Sequence, residues 1–157
     1  MVIYDSYFGN TEKVARSIGK ALGSGEDAQT LKVGDVKPQQ LNGIELLIVG
    51  SPTRAFRASP AINSFLKKIP AGGLRGVKVA GFDTRIALED IKVRLLLFLV
   101  KVFGYAAEPI SKKLQKKGGE VAALPEGFIV KDTEGPLKDG ELERAAAWAK
   151  KIAEGMK

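Results

Sequence analysis

The residues with the greatest chemical potential lie in three short segments. Ser6-Tyr7-Phe8-Gly9-Asn10-Thr11 gathers hydroxyl and amide groups immediately ahead of an amphipathic run. Backbone N–H groups and the positive dipole end of a helix starting there would hold a phosphate dianion, with Ser6, Asn10 and Thr11 adding side-chain donors. The same residues suit an ordinary helix start equally well, with Asn10 or Thr11 as the cap. The segment lacks the Lys of a Walker A loop and the Gly-x-Gly-x-x-Gly of dinucleotide binders. The other two segments are Gly50-Ser51-Pro52-Thr53-Arg54-Ala55-Phe56-Arg57-Ala58-Ser59-Pro60 and Gly81-Phe82-Asp83-Thr84-Arg85. The chain has neither cysteine nor histidine. Thiolate nucleophiles, disulfides, imidazole bases and His- or Cys-ligated metals are therefore excluded, which leaves carboxylates, hydroxyls, cations, backbone or a bound cofactor.

The three segments follow predicted strands. Val2-Ile3-Tyr4 reads as the first, and a helix then carries Val14, Ala15, Ile18 and Leu22 on one face before Gly23-Ser24-Gly25 ends it. Gln29 to Val33 reads as a second strand. Ile44 to Val49 reads as a third, apolar enough for burial on both faces. Ser59 and Pro60 suit the N-cap and first position of a helix bearing Ile62, Phe65, Leu66 and Ile69. Val77 to Phe82 is the predicted fourth strand, Ala106 to Lys117 a helix, and Glu120 to Leu124, extended by Phe128-Ile129-Val130, the last strand. Asp139 is the expected cap of a closing helix, with Glu141 and Glu143 in its first turn and Lys150 and Lys151 in its last.

Strands alternating with helices predict an α/β domain with a doubly wound, five-stranded parallel sheet and helices on both faces. Ligands of such sheets bind beyond the carboxyl ends of the strands, where the three segments lie. A length of 157 residues with 45% hydrophobic content suits one domain over 1–157. The start of the chain has no long apolar run of the kind a signal peptide or anchor needs, so a cytoplasmic protein is expected. The formal charge of +7 attracts anions. Lys112, Lys113, Lys116 and Lys117 recur at helical spacing, as on a solvated helix face, and no nucleic-acid-binding motif accompanies them.

Ser6 to Thr11 resembles the phosphate loop of flavodoxins, and the other two segments resemble the two isoalloxazine loops of flavodoxin-like proteins. Thr133-Glu134-Gly135-Pro136-Leu137, Gly140-Glu141 and Trp148-Ala149 resemble a subfamily of small prokaryotic flavodoxin-domain proteins. The resemblance implies a noncovalent FMN. Ser6, Gly9, Asn10 and Thr11, with the backbone of Tyr7 and Phe8, would hold its phosphate. Pro52, Thr53, Arg54, Ala55 and Phe56 would line one side of the ring, and Asp83, Thr84 and Arg85 would lie near the other. Phe56 either stacks on the ring or packs on the next helix. The implied function is electron transfer as a redox carrier, with no catalytic residue of its own. Its alternatives are a small FMN-dependent NAD(P)H:quinone or flavin reductase and a flavin-free interaction module.

The chain departs from that family pattern in charge and in loop chemistry. Arg54, Arg57 and Arg85 fall where electron-carrier flavodoxins concentrate acidic residues. They should make the bound cofactor easier to reduce fully and favour redox partner proteins with an acidic docking face. Thr53 to Ser59 contains no glycine, so left-handed backbone would be strained there. An additional apolar segment at about 86–104 includes Leu95 to Val100. It is too short and too charged to span a bilayer. Ile91 to Phe103 reads as a buried helix at the sheet edge or as a lid, homodimer contact or docking surface.

Overall fold

The computed structural model describes residues 1–23 and 28–156. The strands are β1 (Val2–Tyr4), β2 (Thr30–Lys32), β3 (Leu46–Pro52), β4 (Lys78–Ile86), β5 (Glu120–Val121) and β6 (Glu126–Val130). They form one sheet in the order β2-β1-β3-β4, with β5 and β6 both pairing with β4, and all these strand pairs are parallel. The last position is thus one interrupted strand, as the Glu120–Leu124 and Phe128–Val130 segments predict, and the sheet is five strands wide.

Period-two alternation sends side chains to both faces. Val2, Tyr4, Ile48, Ala80 and Phe82 face α1 (Asn10–Leu22) and α5 (Glu141–Glu154), which bury Val14, Ile18, Trp148 and Ile152 against them. Ile3, Leu47, Val49 and Val79 face α2 (Pro60–Lys68) and α4 (Ala107–Lys116), which supply Ile62, Leu66, Ile110 and Leu114. Phe82, Phe128 and Trp148 meet pairwise edge to face at 6.0 to 6.4 Å. This cluster explains why Trp148 sits where it does in the last helix. α3 (Arg94–Phe103) lies between β4 and α4 in the chain.

Some boundaries differ from the sequence expectation for identifiable reasons. β4 continues to Ile86, so Asp83, Thr84 and Arg85 are strand residues, because β3 on one side and β6 on the other supply ladder partners for polar residues. Ser59 caps α2 as expected, its Oγ accepting from Ile62 N–H at 3.3 Å. Asp139 does not cap α5; Gly140 occupies that position and Asp139 pairs with Lys131 at 3.3 Å. α1 stops at Gly23, while the expected stop signals Ser24 and Gly25 lie outside the described residues.

Candidate functional site

The carboxyl ends of β1, β3 and β4 enclose a cavity of about 300 Å³. Small-molecule clefts start at about that size. Ser6, Tyr7, Phe8, Asn10 and Thr11 line its β1 side, and Pro52, Thr53, Arg54 and Ala55 its β3 side. Thr84 and Arg85 complete the set from β4. The structure also brings Ile86, Val130 and Thr133 to the lining, which sequence reasoning missed. Thr133 carried a signal, since it belongs to the Thr133–Leu137 segment. That segment folds back so that Asn10 Nδ2 donates to Glu134 O at 2.9 Å. A Cβ on Gly135 would strike the Asn10 amide, so glycine is required for this approach.

At the β1 side, Gly9 occupies the N-cap of α1 with φ 82° and ψ −7°, and no side chain caps the helix. Ser6 Oγ accepts from Gly9 N–H at 3.0 Å, which shapes the turn. Neither Asn10 nor Thr11 is the cap. Both are buried in the first turn, Asn10 bound to Glu134 and the Thr11 hydroxyl paired with that of Thr84 at 2.8 Å. The first N–H groups of a helix have no acceptor within the helix. At a helix start beside the cavity and without a side-chain cap, they could hold an anion such as a phosphate. Gly9 shapes this site without lining the cavity.

The β3 loop is a two-residue hairpin. Arg54 and Arg57 exchange backbone hydrogen bonds at 3.0 Å in each direction, and Ala55 and Phe56 take φ of 45° and 65°. Left-handed backbone costs a non-glycine residue roughly 1–2 kcal/mol, so this loop adopts the strained conformation that its lack of glycine makes expensive. The turn directs Phe56 away from the cavity into a separate groove with Pro109 and Ile110. Aromatic character inside the cavity comes instead from Tyr7 and Phe8, each a little under half exposed. The Arg54 guanidinium lies 5.2 Å from the Tyr7 ring centroid and 5.7 Å from that of Phe8.

Asp83 is fully buried and is not a lining residue. Its carboxylate accepts from Arg85 Nε and Nη2 at 2.5 and 2.8 Å, from Ala107 N–H at 2.8 Å and from the Thr53 hydroxyl at 3.1 Å. Thr53 Oγ1 also accepts from Ala106 N–H at 2.9 Å. Burial pushes the Asp83 carboxyl up from its ordinary value, opposed by Arg85, the Ala107 N–H and Thr53. The group joins β3, β4 and the start of α4. Arg85 is further held 4.0 Å from the Tyr105 ring centroid and passes over Gly127, where a Cβ would collide with its guanidinium. Arg85 is thus an ion-paired cation. Among the described residues Arg54 has no carboxylate within salt-bridge distance.

A family model described as flavodoxin domain matches residues 1–127. Among solved structures, oxidised flavodoxin 1 from Bacillus cereus superposes with a TM-score of 0.73 at 18% identity, over 98% of this chain and 95% of that one. A flavodoxin from the domain Archaea gives 0.70 at 22% identity, over 98% and 94%. The rubredoxin oxygen:oxidoreductase of Desulfovibrio gigas gives 0.71 at 21% identity, over 99% of this chain but 35% of its own. At these identities the likenesses show the fold alone. No curated protein sequence matches the chain.

Proposed function

From the premise that this chain belongs to the flavodoxin domain family and holds FMN, we propose that it is an electron carrier. FMN, when bound, supplies the one- or two-electron redox chemistry. The α1 start, with Ser6 and the backbone of Tyr7 to Thr11, would hold the phosphate, and Tyr7, Phe8, Pro52 and Ala55 would exclude water around the ring. The observation that carries the proposal is the set of ionisable side chains on the cavity: Tyr7, Arg54 and the Asp83-paired Arg85. They can bind an anionic cofactor and tune it, which is what a carrier asks of its protein when the flavin does the redox chemistry. The carrier would work in the cytoplasm, and a partner approaching the Arg54 rim would present an acidic face.

The rival is an FMN-dependent NAD(P)H:quinone or flavin reductase, and one experiment separates the two. FMN-loaded protein mixed anaerobically with NADH or NADPH keeps its visible absorption until a separate reductase is added, whereas rapid bleaching by the nucleotide alone would overturn the carrier. A colourless protein that takes up no FMN would overturn the premise itself and favour an interaction module. Arg54 sets the expected potential. Arg54→Gln lowers the reduction potential of bound FMN by on the order of 50 mV, because a cation near the ring favours added negative charge. An unmoved potential in a redox titration places Arg54 away from the ring.

A further inference from the structure

β4 ends at Ile86 on the cavity, and the chain returns at Tyr105, whose hydroxyl donates to Ile86 O at 2.9 Å. Between these points α3 makes an excursion in which Val100, 7% exposed, is the most buried of the described side chains. Its outer side is apolar. Leu95, Phe98 and Val102 are 67%, 61% and 57% exposed, and their spacing of three and seven residues puts them in one stripe. Val93, at 59%, extends the apolar surface at the helix start. Arg94 and Lys101, seven residues apart and both exposed, form a parallel cationic stripe beside it, and exposed Lys92 precedes them.

The occupant of this surface can be argued from its chemistry. A second copy would set Arg94 and Lys101 of two chains of formal charge +7 against one another. α3 contains no Asp, Glu, Ser, Thr, Asn or Gln. Specific protein interfaces carry about one hydrogen bond per 100–200 Å², and α3 offers directional donors only at its two cations. An apolar stripe beside a cationic stripe, without further polar groups, matches a layer of acyl chains under anionic headgroups. No helix among the described residues is long and apolar enough to cross a membrane, so α3 would lie in the interface. We propose that α3 is a reversible docking helix for anionic lipid surfaces, holding the cavity edge at Ile86 and Tyr105 close to the bilayer.

The test is sedimentation of the full chain with phosphatidylcholine vesicles, neutral or containing roughly one-third phosphatidylglycerol. Binding to the anionic vesicles exceeds binding to the neutral ones by about tenfold, and the combined change L95S, F98S and V102S reduces it by at least about tenfold. These side chains are exposed, so the variant keeps its fold, which its circular dichroism checks. Phe98→Trp provides a second readout, a blue-shifted emission on anionic vesicles above the constant background of buried Trp148. Equal binding of the triple-serine variant, or an unshifted emission from Phe98→Trp, would overturn the proposal in favour of diffuse charge attraction. A stable dimer dissociated by F98S would assign the face to a second copy and overturn it as well. The assay needs no FMN, so its failure is distinguishable from failure of the carrier reading.

Discussion

Two helices on the same face of the sheet begin in nearly identical ways and differ in what their first turns carry. α1 starts from Gly9 at φ 82° and ψ −7°, and α5 starts from Gly140 at φ 84° and ψ −6°; neither has a side-chain cap. In α5 the first turn contains Glu141 and Glu143, so that helix brings its own anions to its positive end. In α1 the buried first-turn residues are the neutral Asn10 and Thr11, while Glu12 points outward to a salt bridge with Arg16 at 2.7 Å. One backbone geometry therefore serves two ends. At α5 the first-turn carboxylate Glu141 is tied into the fold, whereas at α1 the carboxylate Glu12 is turned to Arg16, so the α1 start is the one of the two that could take an outside anion.

Placing a carboxylate on the cavity side of the α1 start is the strongest way to break this contrast. Ser6→Asp keeps an acceptor for Gly9 N–H and adds a negative charge beside the open N–H groups. FMN affinity should fall by about 100-fold, equivalent to ~2.7 kcal/mol, through repulsion of the phosphate dianion. The same charge stabilises the ligand-free protein by about 0.3–1 kcal/mol through the helix dipole. Fluorescence titration should show riboflavin, which lacks the phosphate, much less affected than FMN. Equal weakening of both would mean that the phosphate does not sit at α1.

The contrast is only half legible in the sequence. Ser6 to Thr11 is visible as a polar turn before an apolar-periodic helix, yet glycine capping with Asn10 and Thr11 turned inward depends on Glu134 and Thr84, which are distant in the chain. For α5 the acidic first turn is readable, but Asp139 looks a better cap than Gly140, and only the left-handed turn decides between them. Strands β1 and β3 are readable from short apolar runs buried on both faces. The extension of β4 through Asp83, Thr84 and Arg85 is not, because ladder pairing with Ser51, Pro52 and Gly127 to Ile129 overrides their polar character. The place of Phe56 is hidden for a related reason. A glycine-free hairpin gives no signal that both of its central residues will be left-handed, and that turn is what moves the ring out of the cavity.

On the α5 side the carboxylate itself is the handle. Glu141 accepts from Ile129 N–H at 2.6 Å and from Arg144 Nη2 at 2.7 Å. Burial raises its affinity for a proton, but the Arg144 hydrogen bonds, the Ile129 N–H and the Arg144 and Lys138 charges outweigh burial and hold the carboxyl below its ordinary value. The resulting stability is present above the unfolded value of about 4.3 and is lost as pH falls through the lower folded value. Glu141→Gln should cost about 1–2 kcal/mol at neutral pH. The difference from the parent in urea unfolding should shrink as the pH is brought down through that range, and FMN affinity should stay unchanged. A difference independent of pH would show that the amide also loses packing.

The smallest effect tests the shared geometry. Gly9 and Gly140 both have open space where a Cβ would project, with nothing within 4 Å. Gly9→Ala and Gly140→Ala therefore differ from the parent only in the conformational penalty of a left-handed alanine, about 1 kcal/mol each. Equal losses in unfolding free energy are expected from two sites so alike in backbone. Binding should separate them. In Gly9→Ala the strained turn relaxes at the expense of the Ser6 contact and the aim of the α1 N–H groups, so FMN affinity drops by roughly fivefold, about 1 kcal/mol. In Gly140→Ala the affinity is that of the parent. Equal loss of affinity in both variants would mean that FMN responds to global stability and that the start of α1 has no special part in holding it.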